Sequence, residues 1–210
     1  MKPSKKGNIE KVSIVKFLEN LDLQVGSDII VGDFDIIGWN TAVKFRSPDS
    51  EGYKKYGAIF RPNFERGILI HALIKKYGFA NILEIGYGRG YVTCCASKAL
   101  YEKVDEGSIT SVDPDLTEER AAAFDKLMSD NLKRAVSVSL VRKTSDEFFK
   151  DLSPNTKFDL IFIDGDHRYE FVSRDFENSL KHIDQGYIIM DDYHLPSKKD
   201  DTDHIEVSNF

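Results

Sequence analysis

The sequence predicts a doubly wound α/β fold, in which a mainly parallel sheet has helices on both faces. Two observations support this fold class. Short apolar strands alternate with amphipathic helices from residue 81 onward, and a glycine-rich turn joins the first of these strands to the next helix. Continuous apolar strands are typical of a parallel sheet that is buried on both sides. The expected strand order is 3-2-1-4-5.

The chain is expected to divide into an N-terminal segment, residues 1–61, and an α/β domain, residues 62–210. The N-terminal segment suits a short helix over residues 9–23, and an irregular pattern rich in aromatic residues covers residues 25–66. A linker would not contain so many aromatic side chains. We therefore expect this segment to pack on the core as an irregular layer or to cover a substrate as a lid, and the two roles are compatible.

The first helix of the α/β domain is expected to begin near Arg61-Pro62 and to end at Gly78, because apolar residues recur at helical spacing from Ile70 to Tyr77. The Ser145-Asp146-Glu147 segment is expected to cap the short fourth helix. The expected strands are 82–85, 108–112, 136–141, 158–163 and 186–190, and the later helices are 91–101, 117–131, 148–152 and 169–183.

The composition excludes several classes of protein. Hydrophobic residues make up 41% of the 210 residues and charged residues 30%, which is the balance of a globular protein rather than a disordered one. The net charge of −6 disfavours binding to nucleic acid or to anionic membranes. The two cysteines, Cys94 and Cys95, are adjacent and cannot form a disulfide framework. Without an apolar span or a signal-peptide pattern, the chain is expected to be soluble and cytoplasmic.

The turn after the first strand reads Glu84-Ile85-Gly86-Tyr87-Gly88-Arg89-Gly90. Glycines here permit a tight turn and a close backbone approach to a ligand. The spacing excludes the dinucleotide fingerprint, because the sixth position counted from Gly86 is Tyr91, and the phosphate-binding lysine motif is also absent. Asp113 ends the next strand, where a carboxylate can accept both hydroxyls of a ribose, although taken alone it could be a turn residue.

An acidic residue before Gly-x-Gly-x-Gly, with a second acidic residue ending the next strand, resembles the class I S-adenosylmethionine-dependent methyltransferases, whose fold is Rossmann-like. The resemblance implies that S-adenosyl-L-methionine is the cofactor. Ser145, which follows the third strand, is expected to contact the adenine side or else to serve only as a helix cap. The residues expected to contact the cofactor are Glu84, Gly86, Gly88, Gly90, Asp113, Ser145 and Asp164.

Aspartates follow the fourth and the fifth strands, which are neighbours in the expected order. Asp164, Asp191 and Asp192 should therefore converge beside the cofactor. Three carboxylates repel one another unless they are protonated or neutralised, and an all-oxygen set of ligands suits Mg²⁺, Mn²⁺ or Ca²⁺. Each aspartate alone could instead be a solvated loop residue, or a helix cap in the case of Asp166.

The same segments are similar to the divalent-metal-dependent O-methyltransferases of the catechol, macrocin and cephalosporin-tailoring type. The resemblance covers about residues 62–193 and implies that Asp164, Asp191 and Asp192 hold Mg²⁺. In catechol-type enzymes a lysine three residues after the first metal aspartate is the general base. The matching residue here is His167, which can accept a proton near neutral pH, and His194 is the second candidate.

The expected function is therefore O-methylation of a small hydroxylated molecule from S-adenosylmethionine, assisted by a divalent metal. Two alternatives stay open: a tailoring enzyme that uses the same fold for other chemistry, and a binding-only protein without methyl transfer. Nucleic-acid methylation is disfavoured because residues 191–194 lack the Pro-Pro pair of the amino-methylation motif. The usual terminal helix and strand pair are expected to be missing or replaced, since residues 193–210 are short for them, and this leaves a homo-oligomer open.

Overall fold

The computed structural model describes residues 29–31, 34–36, 65–103, 106–128, 133 and 135–191. Two short strands, β1 (Ile29–Val31) and β2 (Phe34–Ile36), pair antiparallel in a sheet of their own. The predicted N-terminal helix, most of the aromatic segment and all residues from Asp192 onward lie outside the described residues. The division of the chain at residue 61 therefore stays a prediction.

The main sheet has five parallel strands in the order β5-β4-β3-β6-β7. These strands are β3 (Asn81–Ile85), β4 (Gly107–Val112), β5 (Val136–Val141), β6 (Leu160–Ile163) and β7 (Tyr187–Met190). Ile85 is paired with Val112 on one side and with Ile163 on the other, so the strands end together at one edge. The predicted fold class and the 3-2-1-4-5 order are confirmed. The order reverses between β3 and β6, where open α/β sheets bind their ligands.

Five helices are described: α1 (Glu65–Tyr77), α2 (Tyr91–Lys103), α3 (Glu118–Leu127), α4 (Ser145–Asp151) and α5 (Tyr169–Ser179). They form two apolar layers, because successive side chains of a strand point to opposite faces. Leu160 and Phe162 of β6 pack in the layer of α1 and α2, whereas Ile161 and Ile163 pack with residues of α4 and α5. Within the described part of the chain, no helix combines the length and the apolar character needed to cross a membrane.

Two of the predicted helix caps are wrong. The N-cap of α4 is Thr144, whose side chain forms a reciprocal capping box with Glu147, so Ser145 lies inside the helix. The N-cap of α5 is Arg168, and Asp166 does not cap the helix but accepts hydrogen bonds from Arg168. These hydrogen bonds lower the pKa of Asp166 to about 2.

Several predicted boundaries also differ from the structure. Helix α3 begins at Glu118 and ends at Leu127, short of the predicted residue 131, and α5 ends at Ser179, where a 3₁₀ turn over Leu180–His182 follows. Strand β6 begins at Leu160 rather than at residue 158. None of these shifts moves the carboxyl ends of the strands.

Helix α1 is held against α2 by close packing and by a cluster of charged side chains. A Cβ atom on Gly67 would lie 2.5 Å from a ring carbon of Tyr91, so the two helices approach closely at this point. Further along, Glu102 accepts a hydrogen bond from Lys75 at 2.7 Å, and the His71 ring nitrogen is 3.3 Å away. Burial raises the pKa of Glu102, but the hydrogen bonds from His71 and Lys75 outweigh it and lower the pKa to about 2.

Gly86 is the residue at which β3 and β6 approach most closely. It has a φ of +95°, and an added Cβ atom would lie 2.0 Å from the carbonyl oxygen of Asp164. We expect Gly86→Ala to lower the free energy of unfolding by more than about 2 kcal/mol, measured by urea denaturation, because steric overlap adds to the backbone strain.

Gly78→Ala is the matched control. Gly78 also has a positive φ, +70°, but no heavy atom lies within 4 Å of the position that an added Cβ atom would take. This variant should lose only the conformational cost of about 1 kcal/mol. Equal losses in the two variants would contradict the steric account of Gly86.

Candidate functional site

A cavity of about 420 Å³ opens at the carboxyl ends of the central strands. Its volume lies within the usual range of small-molecule sites, and its position is the switch point of the sheet. The residues that line it are Ile85, Gly86, Val112, Asp113, Pro114, Asp115, Thr144, Ser145, Asp146, Gly165, Asp166, Phe171 and Asp175. Five of them are aspartates, so the cavity is suited to a neutral or cationic ligand rather than an anionic one.

The glycine turn and Asp113 come together on one wall of this cavity, as the sequence predicts. The carboxylate of Asp113 accepts the backbone N–H of Gly88 on Oδ2 and that of Asp115 on Oδ1, each at 2.8 Å. A carboxylate oxygen can accept more than one hydrogen bond. Asp113 is thus held in place by the backbone and can still accept hydroxyl groups from a ligand.

Glu84 lies on β3 below the turn and is fully buried. Its Oε2 atom accepts a hydrogen bond from Ser111 at 2.7 Å and another from Thr93. Burial raises the pKa of Glu84 to about 8, although the two hydroxyl donors oppose the shift. Glu84 borders a small recess that Gly86 and Asp164 also line. It therefore supports the turn from within the protein.

The far wall of the cavity is formed by α4 and α5. Ser145 is in the first turn of α4 and is hydrogen-bonded to Asp175, whose pKa is raised by burial despite this bond. Asp146 also lines the cavity, and its Oδ2 atom is 3.1 Å from the Arg174 guanidinium. Sequence reasoning missed Asp146 and Asp175. The available signal for Asp175 was an acidic residue on the apolar stripe of α5, beside Phe176.

The predicted carboxylate cluster is partly visible. Asp164 and Asp191 follow β6 and β7, and Arg66 of α1 contacts both: its Nη1 atom is 3.7 Å from Asp164 Oδ2, and its Nη2 atom contacts Asp191 Oδ2. All three side chains are 8% exposed or less. Asp192 lies outside the described residues. Among residues that are described, no group of three His, Cys, Asp or Glu side chains is arranged to hold a metal.

His167 lies on the loop after β6, near the same carboxylate. Its Nε2 atom is 3.8 Å from Asp164 Oδ1, and the side chain is half exposed. The structure thus brings His167 to the opening of the site, beside Asp164. The alternative base, His194, lies outside the described residues. Arg66 was not predicted, because its helical spacing shows only that it precedes an apolar run.

The raised pKa of Glu84 predicts a specific pH dependence of stability. The unfolded chain ionises this carboxyl near its ordinary pKa of 4.5, whereas the folded chain keeps the proton until about pH 8. The contribution of Glu84 is therefore complete below pH 4.5 and is lost as the pH rises toward 8. In Glu84→Gln, the free energy of unfolding should fall less steeply over this range, measured by urea denaturation at pH 5, 6.5 and 8.

Glu118→Gln serves as the control, because Glu118 is an exposed carboxyl in the first turn of α3. This variant should keep the pH dependence of the unmodified protein. Parallel curves for Glu84→Gln and the unmodified protein would show that Glu84 is ionised in the folded state, against the account given above.

Comparison with known proteins places the fold and the family. Residues 83–193 match the model of a family described as a methyltransferase domain. A search of curated proteins finds no match. A candidate O-methyltransferase from Klebsiella pneumoniae shares the fold with a TM-score of 0.53 and 19% identity, over 77% of this chain and 76% of that one.

Two further solved structures are similar. The O-methyltransferase TomG from Streptomyces achromogenes, in complex with SAM, aligns with a TM-score of 0.50 and 19% identity over 68% of this chain and 66% of that one. The SAH-bound methyltransferase PaMTH1 from Podospora anserina aligns with a TM-score of 0.51 and 15% identity over 89% of this chain and 73% of that one. These likenesses support the fold, and the family match covers more than half of the 210 residues. The chain belongs to the methyltransferase domain family, and its resemblance to the class I methyltransferases is confirmed.

Proposed function

We propose that this protein transfers a methyl group from S-adenosylmethionine to a hydroxyl oxygen of a small molecule. The observation that carries the proposal is the cavity at the switch point, with the Asp113 carboxylate fixed at its wall by Gly88 and Asp115. Membership of the methyltransferase domain family supports the reaction class. The SAM in the TomG structure and the SAH in the PaMTH1 structure support the cofactor.

The charge of the cavity also favours this cofactor. S-adenosylmethionine carries a sulfonium cation, and the lining aspartates attract positive charge while repelling the phosphates of nucleotide cofactors. In the proposed complex Asp113 accepts the ribose hydroxyls and the turn from Gly86 to Gly90 lies along the methionine portion. Ser145 and Asp146 border the adenine. The same acidity supports a small-molecule acceptor rather than nucleic acid.

The reaction is an in-line displacement at the methyl carbon. A bond forms between the acceptor oxygen and the methyl carbon as the bond from sulfur to that carbon breaks, and S-adenosylhomocysteine leaves. The hydroxyl proton passes to His167, whose ring lies beside Asp164 at the opening of the site. The main contribution of the protein is to hold the two reactants in line and close together.

Assistance by a divalent metal is part of the proposal. The donor set fits such an ion, because Asp164 and Asp191 are nearly buried carboxylates that converge on one cation, the Arg66 guanidinium. Asp164 and Asp191, together with Asp192, would hold Mg²⁺ or Mn²⁺. The ion would polarise the acceptor hydroxyl and lower its pKa.

The direct test is transfer of a labelled methyl group from S-adenosylmethionine to a panel of catechols and sugar hydroxyls, with and without Mg²⁺. The proposal predicts methylated product from at least one hydroxylated acceptor. Binding of S-adenosylhomocysteine without turnover on any acceptor would favour the binding-only alternative, and the absence of binding would contradict the proposed cofactor.

Asp113→Asn tests the cofactor contact. Because the amide lacks the charge that strengthens hydrogen bonds from the ribose, we expect the affinity for S-adenosylhomocysteine to fall about 10- to 100-fold, measured by calorimetry. Asp184→Asn is the control, since Asp184 is exposed and paired with Lys157 away from the cavity. An unchanged affinity in Asp113→Asn would contradict the role of Asp113.

His167→Gln tests the proposed base. Loss of the proton acceptor should lower kcat about 10²- to 10⁴-fold while leaving the affinity for S-adenosylhomocysteine unchanged. Glu170→Gln, at an exposed position in the first turn of α5, should keep the full kcat. An unchanged kcat in His167→Gln would show that another group takes the proton.

A further inference from the structure

Arg66 occupies the position between the two strand-end carboxylates. Its two terminal nitrogen atoms face different aspartates, Nη1 toward Asp164 Oδ2 and Nη2 toward Asp191 Oδ2. A guanidinium presents its donors in a planar fork and can therefore bridge two carboxylates. The same two oxygens are the ones that lie closest to a shared cation.

The location of Arg66 in α1 is unfavourable for reasons other than this contact. It lies in the first turn of a helix, where the partial positive charge of the helix end opposes a cationic side chain. It is also 8% exposed, and burial of an isolated charge is costly. Asp164 and Asp191 compensate both costs, and Arg66 in turn neutralises part of their repulsion.

The backbone of Arg66 is firmly held. The next residue, Gly67, packs directly on Tyr91 of α2, and one face of α1 is tied to α2 through Glu102. Any exchange at the carboxylate pair must therefore come from rotation of the Arg66 side chain rather than from movement of the helix.

From these contacts we infer that Arg66 is the internal counter-ion of the metal-free site, and that a divalent ion binds Asp164 and Asp191 by displacing its guanidinium. This inference rests on the proposed function, because that function supplies the metal. A metal ion bound at 2.0–2.5 Å from the Oδ2 atoms would lie within about 5 Å of the guanidinium, where two cations repel strongly in a poorly hydrated site. Arg66 thus sets the metal affinity of the site without being one of its ligands.

The test measures Mn²⁺ binding to the full chain from the electron paramagnetic resonance signal of free Mn²⁺, without any turnover. Arg66→Met should bind Mn²⁺ at least about 10-fold more tightly than the unmodified protein, because the competing cation is gone. Adding Asp191→Asn to Arg66→Met should remove this gain. Lys76→Met is the matched control, since Lys76 is an exposed cation in the last turn of the same helix, and it should leave the affinity unchanged.

A second variant covers the case in which Arg66→Met does not fold. Arg66→Lys keeps the charge but cannot bridge both carboxylates, so its Mn²⁺ affinity should also exceed that of the unmodified protein. Equal or weaker binding in the folded Arg66 variants, or no binding in any of them, would overturn the exchange. Titration of the same samples with S-adenosylhomocysteine separates the two failures: intact binding leaves the proposed cofactor standing, whereas its loss in the unmodified protein contradicts the proposed function itself.

Discussion

The contact between Gly86 and the backbone of Asp164 fixes the geometry on which the rest of the site depends. The two residues follow the central strands β3 and β6, and the Asp164 N–H donates to the Ile85 carbonyl at 2.7 Å. The close approach leaves no room for a Cβ atom on Gly86. One side of this contact leads to the turn and Asp113, and the other leads to the Asp164 side chain and His167. The cofactor wall and the carboxylate pair are therefore held at a constant separation.

Excess negative charge is the second constraint, and the protein meets it differently at different positions. Asp113 is stabilised by two backbone N–H donors, Glu84 keeps a proton through most of the neutral range, and Asp164 shares the Arg66 guanidinium with Asp191. The aspartates of the open cavity remain available to attract a cation. This division suits a site in which a sulfonium cofactor lies beside a second cationic centre.

The sheet and the cofactor wall could be predicted from the sequence because both depend on local patterns. Apolar strands, a glycine turn and an acidic residue at a strand end are read from neighbouring residues, and parallel topology then brings Asp113 to the turn. Arg66 could not be predicted in the same way, because its partners Asp164 and Asp191 are far along the chain and the contact depends on how α1 packs. The cap at Ser145 was misassigned since Thr144, one residue earlier, offers the same hydrogen-bonding chemistry. The third predicted ligand, Asp192, stays a prediction.

A crystal structure of the full chain with S-adenosylhomocysteine tests the central claim most directly. The account predicts that the ligand occupies the cavity of about 420 Å³, with both ribose hydroxyls on the Asp113 carboxylate and the adenine beside Ser145 and Asp146. A ligand bound elsewhere, or an empty cavity at saturating ligand concentration, would contradict the assignment of this cavity as the cofactor site.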